Sequence, residues 1–202
     1  MRHMDVIRLR VHIVLSLQGL YLSTTSGSTS YKSANWHFIW SAAVPPKIKL
    51  FVWQSWRDSL PTSSNLQRRG VPSIGACPWC GTENEDLLHL LVHFPFGRLV
   101  WALSHLPWSV ISTAPADPEV WFRYLHKQLN AQGFARALLV SWFLWGTRNR
   151  LLFENTPATA KDVIERVWSM EAILSPGARA ASALEESLKA YQHLYFASVG
   201  IG

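Results

Sequence analysis

Clustered carboxylates are what this 202-residue chain most plainly lacks. Its five aspartates, Asp5, Asp58, Asp86, Asp117 and Asp162, stand singly, whereas a polymerase or a ribonuclease H needs several converging on magnesium. A Gly-x-Ser-x-Gly elbow, a Gly-rich loop ending in Gly-Lys-Ser/Thr and a His-Glu-x-x-His pair are also missing. No catalytic activity is therefore expected. Charge is sparse, at 16% of residues, but a hydrophobic content of 49% excludes a disordered tail. No run of about 20 apolar residues occurs, so no helical membrane span is expected. The basic start has no clean small-residue cleavage site after it, which argues against a signal peptide. Scarcest of all is cysteine, with only two residues, Cys77 and Cys80. Two cysteines three positions apart cannot staple a large loop, so an intracellular, reducing compartment, nucleus or cytoplasm, is expected.

What is present is concentrated around those two cysteines. Cys77-Pro78-Trp79-Cys80-Gly81 is followed by Glu83, Glu85, His89, His93 and Phe94. Two thiolates on a tight turn can grip one Zn2+ ion, and a histidine further on can close over it. The spacing C-x2-C-x8-H-x3-H makes Cys77, Cys80 and His89 the candidate ligands. If residues 86 to 93 are helical, His93 lies one turn beyond His89 and can supply the fourth donor; otherwise it is a surface histidine. A dithiol-redox reading needs a βαβ context, and the flanks read as helices and loops.

The eleven tryptophans are unusual core material, and most are expected to be buried. Residues 1 to 22 alternate Ile7, Leu9, Val11 and Ile13 with Arg8, Arg10 and His12, the period of a short strand. Ser23 to Ser30 reads as a linker. Helices follow: one with Trp36, Ile39, Trp40 and Ala43; one over 47 to 58, opened by Pro46 and ended by Pro61; and one capped by Thr62 or Ser63 and stopped by Gly70. Further helices are expected from about Asn84, over 96 to 106 with Val100, Trp101 and Leu103 inward, and from Asp117-Pro118-Glu119 after a loop at 107 to 116. Phe134, Leu138, Trp142, Trp145, Asn149 and Leu152 describe one long helix. Val163, Val167, Met170 and Leu174 mark another, and Leu184, Leu188, Tyr191 and Tyr195 a last one.

The net charge of +6 is blocked rather than sprinkled. Residues 45 to 70 carry Lys47, Lys49, Arg57, Arg68 and Arg69 against Asp58, and residues 122 to 153 carry Arg123, Lys127, Arg136, Arg148 and Arg150 with no acid. Basic segments with interleaved aromatics suit a nucleic-acid backbone; the competing reading is the solvated face of amphipathic helices. The arginine pair at 68 and 69 also suits a helix carboxyl end.

Lys32-Ser33-Ala34, Trp36 to Trp40, Val44-Pro45-Pro46-Lys47-Ile48-Lys49, Trp53, Leu60-Pro61-Thr62, Leu66 and Arg68-Arg69 precede Cys77, Cys80, His89 and Trp101 in that order. This resembles the reverse-transcriptase zinc-binding domain of plant LINE-type (non-LTR) retrotransposons. Trp142-Phe143-Leu144-Trp145 with Arg148-Asn149 and Phe153-Glu154 resembles the segment that follows that domain. The resemblance implies a fourth ligand, a cysteine, at the position where this chain has Phe94. It also implies a template or target, RNA or DNA, and other proteins of the element as partners.

The chain is thus expected to be mostly α: a small multi-helix domain with a central zinc-binding loop and a C-terminal helical extension. Leader and linker occupy 1–30, the zinc-binding domain 31–106, a helical continuation 107–157 and C-terminal helices 158–202. The expected function is a non-catalytic, zinc-binding, nucleic-acid-binding accessory module, with Lys47, Lys49, Arg57, Arg68 and Arg69 on phosphates. The alternative is a helical scaffold or protein-interaction fragment of a retroelement whose zinc site has decayed.

Overall fold

Prolines, a glycine and short polar side chains cut this chain into its helices. The computed structural model describes residues 36–71, 76–77, 79–81, 85–113, 117–175 and 177. The expected amino-terminal strand and the expected helix over 184–195 lie outside the described residues. The chain divides into two units, Met1–Trp36 and His37–Gly202, and every helix described belongs to the second.

Helix α1 (His37–Ser41) is followed by α2 (Pro46–Trp56), where Pro46 sits in the first turn and its missing N–H costs nothing. Helix α2 stops at Trp56, short of the expected Pro61, and Asp58 takes a left-handed backbone with φ 44°. In α3 (Ser63–Arg68) the Thr62 hydroxyl accepts the Asn65 N–H at 3.3 Å, and Gly70, at φ 69°, follows the end. A π-helical turn spans His89–His93, and α4 runs over Pro95–Leu103. Phe94 between them is extended, with ψ 147°, because the ring of Pro95 crowds a helical conformation at the residue before it.

Helix α5 (Trp108–Ser112) corrects the expectation of a loop at 107 to 116: Pro107 caps a short helix that buries Ile111. Helix α6 (Pro118–Gln128) starts as expected, with the Asp117 carboxylate accepting the Glu119 N–H at 2.7 Å. Helix α7 (Ala131–Glu154) is capped by the Asn130 side chain and ends at Asn155, which turns left-handed at φ 49°. Thr159 and Asp162 form a reciprocal capping box that opens α8 (Ala160–Leu174).

The long helix α7 is the centre of the packing. Helices α2, α4, α6 and α8 and the π-helical turn all lie against it. Its residues Phe134, Ala137, Leu138, Val140, Ser141, Leu144 and Trp145 are buried. The indoles of Trp101 and Trp121 meet edge to face at 6.3 Å, and each donates its N–H to a backbone carbonyl, Leu91 O and Ile111 O.

Fewer tryptophans reach the core than the majority expected. Trp56, Trp101, Trp121 and Trp145 are buried, but Trp36, Trp40, Trp108 and Trp168 remain 40–46% exposed. Helices α1 and α5 each bury a single residue, Ile39 and Ile111, and α8 offers one inward face, so these elements lack the area to cover a second large ring. Leu103, expected inward, is 41% exposed at the end of α4.

Two ion pairs tie the helices together. Arg136 on α7 makes a two-pronged contact with Glu171 on α8, at 2.9 and 2.8 Å, and also donates to Ser104 O at 3.3 Å. Arg148 on α7 grips both carboxylate oxygens of Glu85 at 2.5 and 3.1 Å, and the two side chains are 4% and 0% exposed.

Removing one member of a buried pair strands the other charge in a dry interior. Glu85→Ala should therefore lower unfolding free energy by about 3–5 kcal/mol in chemical denaturation, and a loss under about 1 kcal/mol would contradict this account. A second expectation concerns acid. Burial pushes the Glu171 carboxyl up, but hydrogen bonds from Arg136 and Gln132 and the Arg136 charge outweigh it and leave it below its ordinary value of 4.5. A carboxyl lowered on folding stabilises the fold above its unfolded pKa, and the gain is lost as pH falls through that range. The stability gap between wild type and Glu171→Gln should accordingly shrink as denaturation is measured at pH values progressively below 4.5.

Candidate metal centre

The turn at Cys77 is closed by one backbone hydrogen bond, from the Gly81 N–H to Cys77 O at 2.9 Å. Gly81 has φ 70°, a region that glycine enters without strain, and this lets the chain fold back within five residues. Cys77 is buried at 2% exposure, Cys80 is exposed, and neither is in a disulfide. His89 enters from the other side. The Asp86 carboxylate accepts the His89 backbone N–H at 2.6 Å and fixes the start of the π-helical turn.

These two segments bring three donors together. The Sγ atoms of Cys77 and Cys80 and a ring nitrogen of His89 all lie within 4.8 Å of one another. Cys80 Sγ and His89 Nε2 are 3.4 Å apart. A sulfur and an imidazole nitrogen bound to one tetrahedral zinc, at about 2.3 and 2.0–2.1 Å, stand about 3.5–3.6 Å from each other. Donor chemistry and spacing both fit zinc. Cys77, Cys80 and His89 would hold the ion, and two thiolates would neutralise its charge. Bound there, zinc supplies a cross-link between the turn and the helix after it, a structural role.

Around the donors stand aromatic rings. Trp79 stacks on Phe96 at 4.2 Å, and the Phe94 ring lies 6.3 Å from Trp79, 5.8 Å from Phe96 and 6.1 Å from His89. Phe94 is only 1% exposed. His93 is not in the three-donor group; its side chain is exposed, while Leu90, Leu91 and Val92 between the two histidines are buried.

The basic residues of the 45 to 70 block lie on the surface in a different setting. Lys47, Arg57, Arg68 and Arg69 are exposed and Lys49 is half-buried. Lys49 Nζ donates to Trp40 O at 2.6 Å, Lys47 lies 6.0 Å from the Trp142 ring, and Arg69 donates to Ser59 O at 3.3 Å. Arg68 pairs with Asp58 at 2.5 Å and also meets Asn65. The 122 to 153 block is otherwise employed: Arg123 binds Glu119, Arg136 binds Glu171 and Arg148 binds Glu85. Arg136 and Arg148 thereby link separate segments of the chain, while the Arg123 pair stays within one helix at 35% and 41% exposure.

Glu85 is the residue that spacing did not single out. Besides Arg148, its carboxylate accepts the Ser63 N–H at 3.4 Å and its carbonyl accepts the Ser64 N–H at 3.2 Å. One residue thus joins the start of α3, the metal loop and α7. A signal existed: Arg148 lies four residues after Leu144 and three after Trp145, on the apolar face of the long helix, where an unpaired charge cannot be buried.

Zinc content checks the donor set directly. Reduced protein should carry one zinc per chain by elemental analysis, and Cys77→Ser should lose it; zinc retained by that variant would remove Cys77 from the site.

No curated protein and no solved structure matches this chain. Residues 16–101, a stretch that contains Cys77, Cys80, His89 and Trp101, match the family model described as zinc-binding in reverse transcriptase, which supports a reverse-transcriptase zinc-binding domain over this part of the chain.

Proposed function

We propose that this chain is a non-catalytic accessory module of a plant LINE-type reverse transcriptase that binds zinc and contacts RNA or DNA. The observation that carries the zinc half is the convergence of Cys77, Cys80 and His89 inside the matched stretch. Zinc's work is to join the Cys77 turn to the π-helical turn that begins at His89.

The nucleic-acid half rests on the surface of α2 and α3. Lys47, Arg57, Arg68 and Arg69 are exposed there. The Arg68–Asp58 pair and the Arg69 contact with Ser59 O are exposed, and an exposed ion pair is worth only about 0–1 kcal/mol, so a phosphate can compete for these side chains. The indole of Trp40, 46% exposed beside Lys49, adds a ring on which a base can stack. A second reading, a protein-contact face, draws on Leu99, Leu103, Trp168 and Ile173 of α4 and α8, which are 41–64% exposed.

Anisotropy of labelled RNA and DNA duplexes should show binding at about 50 mM salt that weakens steeply by about 200 mM. Arg68→Ala and Arg69→Ala should each reduce the log–log salt slope by about 0.7–0.9, one phosphate's share. Absence of binding to either nucleic acid at the lower salt would leave the protein-contact reading standing.

A further inference from the structure

We propose that the face built by α1 and α2 takes unpaired RNA, with the indoles of Trp40 and Trp142 as seats for bases and Lys49 and Lys47 beside them for phosphates. The inference rests on the nucleic-acid reading above and narrows it from polynucleotides in general to a single strand. Its first support is the difference between rings that packing uses up and rings that it leaves open. Trp101 and Trp121 are buried against each other, and the Phe94 ring fills the space beside Gly97, where a Cβ would stand 2.6 Å from it. Trp40, in contrast, is 46% exposed, and Trp142 is half-buried although Trp145 in the same helix is buried.

Each of these two open rings has a lysine beside it. Lys49 Nζ donates to the backbone carbonyl of Trp40 at 2.6 Å, so one residue presents a ring through its side chain and a tethered ammonium at its main chain. Lys47 Nζ lies 6.0 Å from the centre of the Trp142 ring, and that ring is set at a steep angle to Phe51, 5.3 Å away. At 3.6 residues per turn the two lysines leave α2 on opposite flanks of its outward face, and Leu50, 42% exposed, lies between them. The result is an apolar ridge with a lysine and an indole on either side.

Charge and shape then select the ligand. Residues 36 to 57, which make α1, α2 and the turn between them, contain no aspartate or glutamate, so these elements offer a phosphate no repulsion. In a duplex the flat faces of the bases cover one another, and only edges and backbone reach a protein. An exposed indole gains from a nucleic acid only where a base stands free. Free bases are the ordinary state of RNA loops and ends, and the strand is assigned to RNA on that ground. Stacking accepts any base, so these two rings should impose little sequence preference.

Anisotropy tests this with a labelled, unstructured RNA of about 12 nucleotides, the same strand annealed to its complement, the matching DNA strand and an abasic strand. The single-stranded RNA should bind about tenfold tighter than the duplex or the abasic strand. Trp40→Ala should lose about tenfold for the RNA strand and nothing for the duplex, with an unchanged unfolding midpoint, and Trp40→Phe should keep most of the affinity. Lys47→Ala should instead lower the salt slope for the RNA strand by about 0.7, one phosphate's share. Equal affinity for strand and duplex, full affinity for the abasic strand, or a Trp40→Ala variant that binds the strand as the parent does would overturn the proposal while leaving the nucleic-acid reading in place. A DNA strand bound tenfold tighter than the RNA would overturn the assignment to RNA. Absence of binding to all four at low salt would overturn the nucleic-acid reading itself, and this proposal with it.

Discussion

The pairing of Glu85 with Arg148 is the constraint on which the rest of the described structure depends. A carboxylate and a guanidinium removed from water lose several kcal/mol of hydration each, and only close, two-pronged contact with further hydrogen bonds returns it. The chain meets that requirement by drawing three separate segments to one point: the middle of α7, the start of α3 through Ser63 and Ser64, and the loop that leaves the Cys77 turn. Arg148 also lies 5.4 Å from the Trp145 ring, a second favourable contact for the same charge. The arrangement fixes the chain at Glu85, four residues before His89.

From that anchor the donor group follows by short steps. Glu85 is held, Asp86 beside it caps the backbone at His89, and His89 faces Cys80. The Gly81 turn presents the two sulfurs on one side, and Leu90, Leu91 and Val92 hold the π-helical turn against the core. Trp101 completes the fit, since its indole N–H takes up the carbonyl of Leu91. The donor group is positioned by the apolar core beneath it and by one ion pair beside it.

Most helix boundaries were legible because they are set locally. Pro46, Thr62, Asp117 and Pro118 act through their own backbone and nearest neighbours, so their effect can be read without knowing the fold. The cysteine pair and His89 were legible for the same reason, by spacing. What was not legible depends on distant partners. Burial of Trp36, Trp40, Trp108 and Trp168 depended on whether another helix arrives to cover them, and periodicity within one segment does not say so. Arg136 and Arg148 looked like free positive charge because their acids lie 35 and 63 residues away in the chain. The place of His93 depended on the packing of Leu90 to Phe94 against the core, which a count of residues between histidines does not contain.

The close fit of Phe94 over Gly97 carries a consequence for how such chains can vary. The two positions compete for one volume: a ring at 94 leaves no room for even a methyl group at 97, and a small side chain at 94 leaves room to be filled. Substitution at one is therefore conditional on the other, and a lineage passing from a small residue to phenylalanine must have glycine at 97 first or pass through a strained intermediate. Related chains should show this as covariation, with phenylalanine at the first position accompanied by glycine three residues later, and alanine or serine there only beside a smaller neighbour.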